Sequence, residues 1–112
     1  WQEAQALSNG VSSVFTALTC SAGDWSFPGL PSVAAALVLN PAGGSIAAFA
    51  PTGYSLDADA QTLGNAYVDR LFLDHDTLAQ AALSAKTETS GQIPGFMARI
   101  YSIIGEPGVR AR

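Results

Sequence analysis

The chain has 112 residues, 48% of them hydrophobic but only 12% charged, about half the charged share of an average soluble domain. That length suits one domain, and so apolar a composition excludes a disordered segment. An excess of 9 Asp+Glu over 5 Lys+Arg, net charge -4, excludes a basic nucleic-acid-binding face, and one cysteine excludes a disulfide framework.

In chain order, Gln2 to Leu7 is built of helix formers and stops at Ser8-Asn9-Gly10, where glycine supplies a C-terminal cap. Val11 to Thr19 is β-branched and aromatic and has the length of a strand; its apolar run from Val14 to Leu18 suits a strand covered on both faces. Ser21 to Pro31, with two glycines and two prolines, is a loop. Ser32 to Asn40 reads as a short buried helix with Pro31 in its first turn and Pro41 as its stop. Gly43-Gly44 precede a second buried strand, Ser45 to Ala50, and Pro51 to Ser55 is a turn.

Asp57 to about Leu73 carries apolar residues at helical spacing, and Asp57 and Asp59 sit at the positive end of its dipole. A further helix runs from Thr77, its N-cap, to Lys86, followed by an exposed polar loop over Thr87 to Gln92. Phe96 to Ile104 fits either helix or strand, and Gly105 to Gly108 is a turn. Strands alternating with helices predict a mainly parallel α/β sheet with helices on its faces. Two strands do not make such a sheet stable, so other chain is expected to complete it, which agrees with a surface too short of charge to stand uncovered. No apolar run nears the ~18 residues of a membrane helix, so no membrane span is expected. The opening at Trp1, with no Met and no signal-peptide pattern, suggests a mature fragment or a piece of something longer.

In open α/β sheets, function sits beyond the carboxyl ends of the strands. Cys20 stands there, ending the first strand and opening the Ser21-Ala22-Gly23-Asp24 loop, whose amides from Ser21 to Gly23 could face a developing oxyanion. Position alone leaves a second reading, a small buried hydrophobe. His75, in Asp74-His75-Asp76-Thr77, could serve Cys20 as base with a neighbouring aspartate orienting it, but the segment reads as a solvated helix junction. One His and one Cys make a poor metal set, so neither metal nor cofactor is expected. An acid near a thiolate opposes its ionisation, so Asp24 is read as a loop cap. Trp25 and Phe27 fit either a substrate-pocket wall or packing beneath the loop.

The run Phe15-Thr16-Ala17-Leu18-Thr19-Cys20-Ser21-Ala22-Gly23-Asp24-Trp25 resembles the nucleophile segment of the gingipain-type cysteine peptidases. Ala34 to Leu37 resembles the family's next helix, Gly43 to Thr52 its following strand and turn, and Ile103-Ile104-Gly105-Glu106-Pro107 its closing motif, with Glu106 for the usual Asp. Four matches in order cover residues from about 15 to 109. The resemblance implies a caspase-like fold, a parallel sheet sandwiched by helices, of which residues 1–112 are the carboxy-terminal part, completed by an upstream segment or a partner chain. It also implies a Cys/His dyad with Cys20 as nucleophile and the histidine upstream, in a Gly-His-Gly segment before a Trp.

Thr52 and Tyr54 would then lie beside the pocket for the residue preceding the scissile bond, with Trp25 as a further pocket residue and Ser21 and Gly23 as oxyanion or loop residues. The implied partners are a polypeptide substrate and the upstream half of the same domain. The resemblance points to a secreted or surface protein of a bacterium. The leading functional expectation is therefore a cysteine endopeptidase segment, inactive as this chain alone. A catalytically silent domain kept for binding or assembly is the alternative, favoured by Glu106 and the bland Ser21-Ala22. An unrelated α/β binding module with Cys20 buried is a third.

Overall fold

A computed structural model of the chain describes residues 1–111. The elements are α1 (Gln2–Gln5), β1 (Ser13–Thr16), α2 (Val33–Val38), β2 (Ser45–Pro51), α3 (Asp57–Phe72), α4 (Leu78–Glu88), α5 (Gly95–Ile100) and β3 (Tyr101–Gly105). Their boundaries follow local chemistry. Ser32 caps α2 by accepting a hydrogen bond from the Ala35 amide, 3.1 Å away, so Pro31 lies just outside the helix. Thr77 and Gln80 form a reciprocal capping box at the start of α4. The polar segment expected to be a loop after Lys86 instead begins as helix. α4 continues to Glu88, and Thr89 is buried at its end with its hydroxyl donating to the Ala85 carbonyl at 2.8 Å.

The sheet has three strands in the order β1-β2-β3, one more than the sequence pattern indicates. The ambiguous stretch after Pro94 is both things at once: a six-residue helix and then a strand. β1 and β2 are parallel, whereas β3 runs antiparallel to β2, with Tyr101 opposite Pro51 and Gly105 opposite Ala47. The sheet is thus mixed rather than mainly parallel. The cause is the helical hairpin between β2 and β3: α3 leads away from the carboxyl end of β2 and α4 returns, so β3 starts where β2 finished and has to run back.

β1 is also shorter than its apolar run. The Ala17 amide still donates to the Phe49 carbonyl at 3.0 Å, but beyond it the chain leaves the ladder. Leu18 then seats against α3 at Gly64, where a Cβ would lie 2.4 Å from its side chain. Val14, Phe15 and Thr16 are half-buried, so this edge strand is not enclosed on both faces as its composition suggests.

Strand alternation sorts the core into two layers. Ala47 and Phe49 of β2 face α3 and α4, joining Leu63, Tyr67, Leu78, Met97 and Tyr101 in the larger cluster. Phe49 stacks on Tyr67 with ring centroids 4.2 Å apart. Ala48 and Ala50 face the other way and meet Ala17 and Ala34 in a cluster of small residues that lets α2 approach closely. Helices therefore cover both faces, as expected for the α/β class. Among the described residues, no helix is long and apolar enough to cross a membrane.

Candidate active site

Cys20 lies a few residues past the end of β1, in a turn, with an exposed side chain; the reading of it as a buried core hydrophobe does not hold. Its backbone is laced to the turn that follows β2. The Ser21 amide donates to the Gly53 carbonyl at 3.0 Å, the Gly23 amide to the Pro51 carbonyl at 2.8 Å, and the Asp24 amide to the Ser21 carbonyl at 3.1 Å. These bonds hold Ser21 at φ 53°, a left-handed backbone that a serine adopts only when its surroundings enforce it. Gly23 fits closely here, since a Cβ would lie 3.3 Å from the Ala50 side chain and from the Ala50 and Pro51 carbonyls, so a larger residue would need the neighbouring strand to give by a few tenths of an ångström.

The lacing corrects one expectation. The amides of Ser21 and Gly23 are already engaged, so these residues build the loop, and an oxyanion would have to draw on other donors. Among the described residues the Cys20 amide makes no hydrogen bond.

Ser55 grips Cys20 from the opposite loop. Its amide donates to Cys20 Sγ at 3.4 Å, and the thiol faces the Ser55 carbonyl at the same distance. Its hydroxyl donates to the Thr19 carbonyl at 2.6 Å, fixing the residue before the cysteine. The sulfur therefore has a donor for its thiolate form and an acceptor for its thiol form. Behind this pair the buried Tyr101 hydroxyl has no hydrogen-bond partner; burial pushes its pKa up, with Ser55 offsetting part of the rise and Cys20 and Asp57 adding to it. Asp24 accepts a hydrogen bond from the Ser26 amide at 2.9 Å, and this holds its carboxyl below the usual carboxylate range. It thus caps its own loop, as the sequence suggested.

A cleft of about 520 Å³ opens beside the sulfur, and its lining includes Cys20, Ser21, Asp24, Phe27, Leu30 and Tyr54. Of the sequence-derived site residues, Cys20, Ser21 and Tyr54 come together there. Gly23 is buried beneath. Thr52 lies outside the cleft, with both its amide and hydroxyl donating to the Ile100 carbonyl, at 2.8 and 3.0 Å. Trp25 also stands outside it, well exposed. The sequence places Ser55 in the turn on the same sheet edge as Cys20 but not its contact with the sulfur, and it singles out neither Leu30 nor Val33 of the cleft lining. Only the turn composition around Ser55 hinted at a loop, because its partners lie 35 residues away in the chain.

His75 is not part of this cluster. α3 begins beside Ser55 and runs 16 residues, roughly 24 Å, before reaching the junction that carries His75. There Arg110 donates to the His75 carbonyl, and Arg70 bridges Asp74 and Glu88 at 2.8 and 3.0 Å. The solvated-junction reading is the right one.

Comparison with known proteins adds a decisive match: residues 2–112 fit the family model of peptidase family C25. The chain belongs to peptidase family C25. This is the gingipain family to which its motifs point, and membership supports a cysteine peptidase, a hydrolase acting on polypeptides. No curated protein and no solved structure matches the C25 chain.

Proposed function

We propose that this chain is the nucleophile-bearing, carboxy-terminal part of a single caspase-like endopeptidase domain, with Cys20 as its catalytic residue. The observation that carries this is the exposed Cys20 sulfur held at the carboxyl end of the parallel β1–β2 pair, beside a cleft, in a chain of a cysteine peptidase family. Thiolate Sγ attacks the scissile carbonyl carbon, the C–N bond breaks, and the leaving amine takes a proton from an imidazolium. Water then hydrolyses the thioester, releasing the carboxylate and restoring the thiol.

His75 lies too far along α3 to supply that imidazole, so we assign the base to a histidine in a segment preceding Trp1 in the full-length protein. The same segment would add strands at the free edge of β1, completing the sheet, and an amide to join that of Cys20 around the oxyanion. On this reading the protein works at a bacterial cell surface or in secretion, which fractionation of the native host would test; the family likeness alone supports it.

The deciding experiment is covalent labelling of the full-length protein by a peptidyl chloromethyl ketone, read by intact mass. One adduct on Cys20, absent from Cys20→Ser and from a variant lacking the upstream histidine, is the expected result. A folded protein whose Cys20 reacts with iodoacetamide but with no peptidyl reagent would instead support a catalytically silent domain. That second reading draws on the lack of any base beside Cys20 among the described residues.

A further inference from the structure

The cleft at Cys20 is chemically one-sided. Trp1, Phe27, Leu30, Val33 and Tyr54 all contribute to its wall, and each is substantially exposed, Phe27 to 62% and Tyr54 to 86%. Phe49, Tyr67 and Tyr101 are fully buried and Trp25, Phe72 and Phe96 stand exposed elsewhere, whereas here several large apolar side chains gather around one opening beside a thiol. Among the described residues no basic side chain lines the cleft, and besides the cysteine its ionisable side chains are those of Asp24 and Tyr54. Asp24 is committed to the Ser26 amide, and partly exposed ion pairs contribute little to binding. A cation drawn into this wall would lose hydration for one already engaged carboxylate, whereas an aliphatic or aromatic side chain would cover the exposed apolar surface.

We propose that the Cys20 cleft selects peptides with an apolar side chain, leucine- to phenylalanine-sized, next to the scissile bond. Leu30, in the segment leading into α2, and Val33, the first residue of α2, are its specificity-determining residues, since both are exposed aliphatic side chains of its wall. The inference rests on Cys20 being the peptidase nucleophile. Its volume of about 520 Å³ falls within the range of sites that enclose a small-molecule-sized group.

The test uses the full-length protein and matched peptidyl chloromethyl ketones that differ only in the residue beside the reactive ketone: Leu, Phe, Lys, Arg or Asp. Alkylation displaces chloride and forms a thioether on Sγ, so the second-order rate is read directly by mass. Leu and Phe reagents are expected to react at least about tenfold faster than the charged ones, a margin of ~1.4 kcal/mol. Leu30→Gln, a neutral change at an exposed loop position, should cut the Leu and Phe rates about tenfold relative to the iodoacetamide rate of the same variant, which normalises for any change in the thiol itself.

Faster reaction with Arg or Lys, abolished by Asp24→Asn, would overturn the apolar selection while leaving Cys20 as nucleophile. Equal rates across the panel would overturn it too. Failure of every peptidyl reagent, with iodoacetamide still reacting, would bring down the peptidase reading and the inference with it.

Discussion

The two ends of the sheet use polar groups in opposite ways. At the amino end of β1 and β2 they are spent on one another. The Asn9 side chain accepts from the Gly44 amide at 2.6 Å and donates to the Gly44 and Val11 carbonyls, and Ser13 reaches both Gly44 and Ser45. The glycines there are forced: Gly44 has φ +86°, with a Cβ position 2.2 Å from the Leu37 carbonyl oxygen, and Gly105 of the antiparallel β3 crowds the Ile46 carbonyl in the same region. At the carboxyl end the lacing also consumes amides, but it leaves a sulfur and a set of apolar side chains facing outward. One end is closed to hold the fold. The other is rigid beneath an open surface, which is what a reactive group needs.

Substitutions can break or sharpen this contrast. Gly44→Ala is expected to have the largest effect, roughly 3 kcal/mol or more, because left-handed backbone strain adds to a clash with main chain that has nowhere to go. Urea unfolding would show it, and a loss below about 1 kcal/mol would mean that the amino end is less closed than described.

The next effect concerns the core between the two ends. Burial pushes the Tyr67 hydroxyl up to about 12, Thr16 offsetting a little of the rise without meeting hydrogen-bond geometry. The folded pKa therefore exceeds the unfolded one near 10, so the contribution is whole below pH 10 and is lost as pH rises through about 12. The loss should reach about 2–3 kcal/mol, visible as alkaline unfolding that Tyr67→Phe lessens, the likewise buried Tyr101 supplying the remainder.

At the carboxyl end Ser55→Ala is expected to cost only about 1 kcal/mol of stability, the worth of its bond to Thr19. Its larger readout is chemical: Cys20 labelling by peptidyl reagents should slow several-fold and recover in Ser55→Thr. Stability changing more than labelling would erase the distinction between the two ends.

Much of the fold can be read from residue order. The cap at Thr77, the strand over Ser45 to Ala50, buried apart from Ile46, and the cysteine beyond a strand are local signals, each written within a few residues. What escaped was non-local. The antiparallel sense of β3 comes from the α3–α4 hairpin returning the chain, not from anything in Tyr101 to Gly105. β1 ends early because Leu18 finds Gly64 some forty-odd residues on, and no propensity within Val11 to Thr19 encodes that. The same limit applies to Ser55: its turn could be placed on the edge of the sheet that carries Cys20, but not its amide against Cys20 Sγ. Trp25 drew notice as an aromatic beside the cysteine, but a loop of glycines and prolines turns it away from the cleft.

The outer edge of β3 has one more consequence. The Ile100 carbonyl faces β2, where it receives the Thr52 amide, so by strand alternation the Tyr101 carbonyl points to the unpaired side. Lys86 reaches over from α4 and donates to that carbonyl at 2.7 Å, its amine pushed below the usual lysine pKa by burial. A cation stationed on an edge strand discourages any foreign strand from docking there. The sheet is therefore stoppered on one flank and can lengthen only past β1. Stray edge-to-edge clumping is discouraged on the β3 side, while the flank formed by β1 stays receptive.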